Sequence, residues 1–165
     1  MKVPGADQKD KTKSSDGNIR IVEIEIKHLD QGFLDTLDNL VTGTSNLTKS
    51  KAEDVFREIK SNPLHKVFVA VREEQTKDLV VGTITLLIEP KFILNGGRIG
   101  HIEDVSVRKE YQNKKIGKRL VSYATEIARE LGCVKIVLDC SDETMPFYEK
   151  LGYFYQDNCM KKTFD

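Results

Sequence analysis

The chain has 165 residues, which is the length of one ordinary domain and enough to bury a single core. Its 26 lysines and arginines balance 26 aspartates and glutamates, so no net charge attracts nucleic acid or a membrane surface. With 39% hydrophobic and 32% charged residues, the composition is that of a soluble globular protein, and no apolar run approaches the roughly 20 residues of a membrane helix.

The N-terminal residues and the cysteines bear on location and redox chemistry. Residues 1–18 are polar and lack the apolar segment of a secretory signal, so we expect a disordered tail on a cytoplasmic protein. Residues 19–165 are expected to form the folded domain. Cys133, Cys140 and Cys159 are an odd number without a C-x-x-C pair, and the histidines are scattered. Neither a disulfide framework nor a metal site is therefore expected.

Apolar periodicity predicts the elements in chain order. They are a strand over 19–26, a helix over 29–41, a helix over 50–62 with a Ser50–Glu53 capping box, strands over 67–71, 79–89 and 98–108, a helix over 116–131, a strand over 133–140, a short helix over 145–151 and a last strand over 153–164. A helix between successive strands implies a parallel crossover. The order β-α-α-β-β-β-α-β-α-β predicts an α/β fold with a mixed, mostly antiparallel central sheet flanked by helices.

A basic turn follows the predicted strand over 98–108. Six positive charges lie within twelve residues: Arg108, Lys109, Lys114, Lys115, Lys118 and Arg119. A strand that leads into a helix N-terminus directs unpaired backbone N–H groups to one point, which suits a diphosphate, and Gly117 keeps the backbone approachable. The alternative is a solvated basic face at a helix start. Gln112 and Lys115 stand where nucleotide-binding loops need glycine, so ATP and NAD are disfavoured.

Carboxylates and one tyrosine flank that turn in the sequence. Glu103 and Asp104 interrupt the preceding strand, where alternation sends them to opposite faces; the alternative is a strand end with solvated acids. Asp139 ends the next strand and Tyr148 lies on the following short helix, where open α/β sheets hold ligands. Tyr148 can donate a proton there, although a packed core ring explains it equally well. His101 is expected to be structural.

Four segments resemble the Gcn5-related N-acetyltransferase (GNAT) superfamily, and more closely its eukaryotic glucosamine 6-phosphate N-acetyltransferases. In the order of that family they are 100–105 (GHIEDV), 111–118 (YQNKKIGK), 133–140 (CVKIVLDC) and 147–153 (FYEKLGY). Looser similarity extends back through 88–93 and 40–47. The resemblance therefore covers the chain after its tail and implies the GNAT fold.

The resemblance implies a reaction and its participants. The acetyl group of acetyl-CoA, the cosubstrate, would pass to the 2-amino group of D-glucosamine 6-phosphate, giving N-acetyl-D-glucosamine 6-phosphate and CoA in UDP-N-acetylglucosamine biosynthesis. No covalent enzyme intermediate and no metal are implied. The implied assembly is a homodimer with paired C-terminal strands and a composite active site, without a nucleic-acid or membrane partner.

The resemblance also implies site residues. Acetyl-CoA would be bound by Val105, Ser106, Val107, Gln112, Asn113, Lys114, Lys115, Ile116, Gly117, Lys118 and Tyr148. The sugar phosphate would be bound by Thr42, Lys91, Phe92, Ile93, Leu94, Glu103, Asp104, Val134 and Lys135. Among catalytic residues, Asp139 would position the amine together with Glu103, and Tyr148 would protonate the departing thiolate.

Two residues depart from the family pattern. Lys115 replaces the first glycine of the superfamily's pyrophosphate loop. Thr163 stands where relatives tend to have an arginine that contacts the sugar phosphate. Lys161 would share a strand face with Thr163, so Lys161 is the expected substitute.

Two alternatives to this function remain open. The first is an acetyltransferase for another small amine or for a protein N-terminus, which would leave the basic residues on the phosphate side without a role. The second is a non-catalytic acetyl-CoA-binding module. Tyr148 and Asp139 argue against the second alternative.

Overall fold

The structure is a computed structural model that describes residues 18–164. Its strands and α-helices, in chain order, are β1 (Ile19–Glu23), α1 (Phe33–Leu37), α2 (Lys49–Ser61), β2 (His65–Arg72), β3 (Leu79–Pro90), the short α3 (Ile93–Gly96), β4 (Arg98–Val107), α4 (Ile116–Glu130), β5 (Cys133–Leu138) and α5 (Met145–Glu149). Three 3₁₀ helices lie at Ile26–Gln31, Thr44–Asn46 and Lys109–Tyr111. The tail predicted for 1–18 lies outside the described residues except for Asn18, whose side chain donates to Glu73.

The five strands form one sheet in the order β1-β2-β3-β4-β5. Neighbouring strands are antiparallel except β4 and β5, which are parallel because α4 connects them as a crossover. The α/β fold with a mixed, mostly antiparallel sheet and flanking helices is confirmed.

Helices cover both faces of the sheet. α4 places Ile116, Leu120, Ala124 and Ala128 at intervals of four residues, and this apolar stripe packs on one face. On the other face, apolar side chains of β2 and β3 pack beneath α1 and α2. Because both faces are covered, β2 is buried from Val67 to Val71. No helix in the part of the chain that the structure describes is long and apolar enough to cross a membrane.

The predicted helix over 29–41 is wrong as one element. Gly32 interrupts it with a left-handed φ of 84°, so a 3₁₀ helix ends at Gln31 and α1 begins at Phe33. The predicted Ser50–Glu53 capping box is also wrong, since the N-cap of α2 is Thr48, two residues earlier, and its side chain accepts the N–H of Lys51 at 3.3 Å.

The predicted last strand over 153–164 is not part of the sheet. After α5, the N–H of Tyr153 donates to the Tyr148 carbonyl at 3.2 Å, and no later residue pairs with a described strand. A strand requires a hydrogen-bonded neighbour, and in this single chain the outer edge of β5 pairs with no described segment. The backbone of the C-terminal segment 153–164 therefore pairs with no described strand. Its side chains Phe154 and Phe164 are exposed.

Candidate active site

A gap opens where β4 and β5 part. The two strands pair from Arg98 and Cys133 up to Ile102 and Leu138, whereas β4 continues to Val107. Beyond Ile102, the edge of β4 that faces β5 has no paired strand among the described residues. The backbone of Glu103–Val107 is therefore available to a ligand on that side.

The start of α4 and the helix α5 enclose this gap. A Cβ placed on Gly117 would lie 3.6 Å from the ring of Phe147 and 3.7 Å from the Val107 side chain. The end of β4, the first turn of α4 and α5 thus converge within van der Waals distance of one another. This is the region that the sequence predicts to hold the acetyl thioester.

A β-bulge shapes β4 beside the gap. Ser106 pairs with Thr83 and Glu103 pairs with Thr85, so Asp104 and Val105 together oppose one residue of β3. Asp104 adopts a left-handed φ of 51°. Bulges of this kind redirect side chains and are frequent next to active sites. The bulge interrupts the predicted simple alternation of Glu103 and Asp104, and both residues are exposed, although the Glu103 carboxyl is partly removed from solvent.

Three carboxylates converge at the end of β5. Burial raises the pKa of Glu103, and the negative charges of Asp104 and Asp139 raise it further, while His101 opposes them. The Cys159 thiol donates to Asp139 Oδ2 at 3.3 Å. That hydrogen bond, the charges of Asp139 and Glu103, and burial raise the pKa of Cys159. The structure therefore brings together three of the predicted substrate or catalytic residues, in a field that favours a positively polarised group.

Tyr148 lies on α5, near Cys140, the residue that follows Asp139 at the end of β5. Its ring packs edge to face against Phe147, at a centroid distance of 5.0 Å, and against Tyr153, at 5.9 Å. Burial is the main cause that raises the pKa of Tyr148, followed by Cys140 and Tyr153. The phenol is therefore protonated at neutral pH and can donate. The ring is packed, as the structural interpretation expects. Proton donation by the hydroxyl during catalysis stays a prediction.

The loop between β4 and α4 presents unpaired backbone donors. Gln112 Nε2 donates to the Val107 carbonyl at 3.2 Å, and Asn113 and Lys115 adopt left-handed φ angles of 63° and 61°. The N–H groups of Asn113, Lys115, Ile116, Gly117 and Lys118 donate to no acceptor within the described residues. These groups lie at the positive end of α4, so the arrangement suits an anionic diphosphate.

Two of the six basic side chains near this loop belong to the fold instead. Arg108 is buried against α1, and Arg119 donates to the Ile19 carbonyl at 2.9 Å. Lys109, Lys114, Lys115 and Lys118 remain exposed around the loop. The predicted concentration of six charges is therefore too high, and four lysines surround the unpaired N–H groups.

The predicted sugar-phosphate residues fall into three places. Glu103 and Asp104 belong to the acidic cluster. The exposed segment Lys91–Leu94 lies beside Val134, whose side chain would be 3.2 Å from a Cβ on Gly97. Lys135 is exposed on the neighbouring part of β5. Thr42, on the loop after α1, and Lys161, on the C-terminal segment, are exposed and make no described contact with that cluster.

Two features of this region were missed from the sequence. Cys159 contacts Asp139, although nothing in its local sequence marks it as a site residue. Glu89 accepts from Lys91 Nζ at 2.5 Å and lies 2.9 Å from His101 Nε2. The strand register of β3 and β4, together with the spacing of Glu89 and Lys91, is the signal that would have found this network. His101 is thereby confirmed as a hydrogen-bonded residue.

No group of three or more His, Cys, Asp or Glu side chains within residues 18–164 has the arrangement needed to hold a metal ion. The three cysteines are free thiols.

The sheet is mixed, its strands β4 and β5 separate, and the N-terminus of α4 faces the gap between them. This arrangement is typical of GNAT acetyltransferases. A model of the acetyltransferase (GNAT) family matches residues 34–153. The chain belongs to this family.

Relatives within the family narrow the comparison. The chain is 37% identical over 146 residues to the glucosamine 6-phosphate N-acetyltransferase of Arabidopsis thaliana, covering 88% of this chain and 97% of that protein. It is 36% identical over 132 residues to the enzyme of the same name from Candida albicans, covering 79% and 86%. The crystal structure of the Arabidopsis enzyme superimposes with a TM-score of 0.83 at 36% identity, covering 90% of this chain and 99% of that one.

Proposed function

We propose that this enzyme transfers the acetyl group of acetyl-CoA to the 2-amino group of D-glucosamine 6-phosphate, giving N-acetyl-D-glucosamine 6-phosphate and CoA. The observation that carries the proposal is the convergence of Glu103, Asp104 and Asp139 at the end of β5, beside the open edge of β4, with Tyr148 on the adjacent α5. An amine acceptor needs carboxylates that position it, and a thiol leaving group needs a proton donor. The similarity to several glucosamine 6-phosphate N-acetyltransferases supports the sugar phosphate as acceptor.

The acidic cluster would bind and orient the amine. Asp139 and Glu103 accept N–H hydrogen bonds from the nitrogen and direct its lone pair toward the gap between β4 and β5. A sugar amine loses its proton more easily than an alkylamine, because neighbouring oxygens withdraw electrons. Positioning by carboxylates, with the proton passing to water, is therefore sufficient without a strong base.

Backbone and phenol groups would act on the thioester. N–H groups at the open edge of Val105–Val107 polarise the carbonyl oxygen, as an oxyanion site does. The nitrogen forms a bond to the carbonyl carbon, the carbon–sulfur bond breaks, and Tyr148 gives its proton to the departing thiolate. Acyl transfer is then direct, without a covalent bond to the enzyme.

The loop between β4 and α4 would bind the acetyl-CoA pyrophosphate. The unpaired N–H groups of Asn113 and of residues 115–118, together with the positive end of α4, fit a diphosphate, and the surrounding lysines add charge attraction. No metal is needed in this arrangement, because backbone N–H groups and lysines neutralise the phosphates.

We further propose a homodimer with a composite active site. The C-terminal segment 153–164 and the outer edge of β5 pair with no strand among residues 18–164, and Phe92, Ile93 and Val134 are exposed apolar side chains. Pairing with a second copy would cover these features and bring further residues to the sugar. Sedimentation at micromolar concentration is expected to give twice 18.7 kDa. A fully active monomer would contradict a shared site.

The cytoplasmic location stays a prediction from sequence. Cell fractionation with a tag at the C-terminus would test it.

Product analysis tests the proposed reaction. The purified protein is incubated with acetyl-CoA and, separately, with D-glucosamine 6-phosphate, other small amines and a peptide with a free N-terminus. We expect CoA and N-acetyl-D-glucosamine 6-phosphate in equal amounts, with the acetyl group on the 2-amino nitrogen by nuclear magnetic resonance. Preferred acetylation of another amine would establish the first alternative, and acetyl-CoA binding without turnover of any amine would establish the second.

A further inference from the structure

Arg108 is a buried cation at the end of β4 that none of the proposed steps uses. Only 18% of its side chain is exposed. Nε donates to Thr36 Oγ1 at 3.1 Å and to the Val80 carbonyl at 2.9 Å, and Nη2 donates to the Gly32 carbonyl at 2.8 Å. Nη2 also pairs with Asp35 at 3.2 Å. One guanidinium thus joins β3, β4 and α1.

Neighbouring hydroxyl groups complete this junction. Thr36 Oγ1 donates to the carbonyls of Gly32 and Val80, each at 2.9 Å, and Ser106 Oγ donates to the Thr36 carbonyl at 2.6 Å. Thr36 and Ser106 are buried. We call this set, Arg108 with Thr36 and Ser106, the α1 junction. It lies directly beside Val105 and Val107, the predicted thioester residues.

The loop over 38–47 begins directly after α1, the helix that this junction holds, and leads into α2. Asp38 accepts the backbone N–H and the hydroxyl of Ser45, and Thr44 Oγ1 donates to the Val41 carbonyl at 2.7 Å, so hydrogen bonds close the loop on itself. The N–H groups of Leu40 and Val41 donate to the Leu37 carbonyl at the end of α1. Within the described residues, no hydrogen bond joins 40–47 to β3, β4 or β5. α1 therefore holds the N-terminal end of this loop, which carries Thr42.

We propose that Arg108 is a positioning residue for the acceptor, which acts by fixing α1, and with it the start of the loop over 38–47, on the segment of β4 that lines the gap. The inference rests on the proposed function in assigning the acceptor to this side. A guanidinium suits the role, because its planar fork satisfies four acceptors in a fixed geometry that a lysine cannot match. The α1 junction also requires glycine at position 32, since a Cβ there would lie 2.2 Å from Arg108 Nη2.

Hydrogen exchange tests the junction without any substrate. In Arg108→Met, the amides of 36–47 are expected to exchange faster than in the wild type, whereas those of α4 keep their protection. Arg129→Met is the matched control, because Arg129 is an exposed arginine that pairs only with Glu126 on the same helix. Arg108→Lys, which keeps the charge in the junction, serves if Arg108→Met does not fold. Unchanged exchange over 36–47 in both Arg108 variants would overturn the inference.

Kinetics test the consequence for the acceptor. In Arg108→Met the KM for the amine is expected to rise on the order of tenfold, with the Kd for acetyl-CoA within a factor of two, because a displaced loop misplaces the acceptor. Arg108→Lys should lie between Arg108→Met and the wild type. Gly32→Ala should raise the same KM, because the added Cβ would meet Arg108 Nη2 and the left-handed φ of 84° strains any side chain.

The outcomes separate the inference from the proposed function. A KM for the amine that stays unchanged, or an equal loss of acetyl-CoA affinity, would overturn Arg108 as an acceptor-positioning residue. If the wild type acetylates no sugar phosphate, the proposed function fails, and the exchange measurement still decides whether Arg108 holds the loop. Arg129→Met is expected to match the wild type in every measurement.

Discussion

Tyr148 combines a packed ring with a proton that burial retains. Its edge-to-face contacts with Phe147 and Tyr153 depend on the ring and not on the hydroxyl, and burial raises its pKa. A phenylalanine in its place keeps the packing and removes only the proton donor. The two functions of this residue can therefore be separated by one substitution.

Tyr148→Phe is expected to lower turnover by about 10²- to 10⁴-fold, the usual value of general acid catalysis. The Kd for acetyl-CoA should change little, because the ring contacts remain. Steady-state kinetics and direct binding measure the two quantities, and Phe154→Leu, at an exposed ring, is the control for removal of an aromatic side chain. Unchanged turnover in Tyr148→Phe would remove this hydroxyl from the mechanism.

Glu103 is held in a field that opposes its charge. Burial, Asp104 and Asp139 raise its pKa, so the folded state binds a proton at Glu103 more tightly than the unfolded state does. The ionised form therefore lowers the free energy of unfolding at pH values above the raised pKa, and this penalty disappears once the pH falls below the ordinary glutamate value. Such a cost is typical of a residue retained for function.

Glu103→Gln is expected to raise the melting temperature at neutral pH and to have no effect on it below about pH 4, where glutamate is protonated in both states. The same substitution should raise the KM for the amine, because the carboxylate acceptor is lost. Thermal unfolding at a series of pH values measures the first effect, with the exposed Glu126→Gln as control. A lower melting temperature at neutral pH would contradict the assigned field.

At the scale of elements, the loop between β4 and α4 acts through its backbone. The left-handed Asn113 and Lys115 turn the chain so that successive N–H groups point outward ahead of α4. Lys115 accepts this conformation at a cost of roughly 1–2 kcal/mol that glycine would avoid. The loop therefore keeps its donors although the family's first glycine is absent.

Lys115→Gly is expected to weaken acetyl-CoA binding only modestly, since the N–H remains and one charge is lost. Gly117→Val should weaken it far more, because branched methyl groups would fill the space between Val107 and Phe147. Gly117→Ala is the milder control, as its Cβ makes ordinary contacts of 3.6 and 3.7 Å. Titration calorimetry compares the three variants, and a larger loss in Lys115→Gly than in Gly117→Val would show that the side chain dominates.

Local sequence predicts elements better than it predicts their junctions. The long β-rich run over 79–89 and the helical spacing of 116–131 identified β3 and α4 within a residue or two, because a continuous apolar run is typical of a strand covered on both faces and helical spacing of one buried face. The break at Gly32 depends instead on Arg108, which is distant in sequence. The bulge at Asp104 depends on pairing with β3. Contacts of this kind leave no periodic signal in the chain.

The candidate site shows the same division. The acidic residues 103, 104 and 139, Tyr148 and the basic loop were predicted from motifs. The hydrogen bonds of Arg108 and Arg119 to backbone carbonyls were not predicted, because the sequence does not show which acceptor an arginine will contact. The unpaired C-terminal segment also escaped prediction, because a strand pattern is realised only where a neighbouring strand exists.

At the scale of the whole molecule, the C-terminal segment links assembly to substrate recognition. Residues 153–164 leave the sheet, contact Asp139 through Cys159, and expose Lys161 and Lys162. In the proposed homodimer this segment pairs with the second copy, which would bring one of these lysines to the sugar phosphate. A lysine offers a point charge there instead of the planar fork of an arginine.

Lys161→Ala is expected to raise the KM for D-glucosamine 6-phosphate much more than it changes turnover, and to leave acetyl-CoA binding unchanged. Added salt should reproduce the defect in the wild type, because an exposed ion pair is screened. Lys162→Ala is the matched control on the adjacent residue. If Lys162→Ala causes the loss instead, the register of the segment is off by one residue.

The measurement that tests the proposed reaction most directly compares kcat/KM for D-glucosamine 6-phosphate and for D-glucosamine at one saturating acetyl-CoA concentration. Both acceptors present the same 2-amino group, so the ratio isolates recognition of the phosphate. A charged hydrogen bond to the phosphate predicts a preference of roughly tenfold to a hundredfold for the phosphorylated sugar. Equal values for the two sugars, or a higher value for a peptide N-terminus, would contradict the proposed substrate.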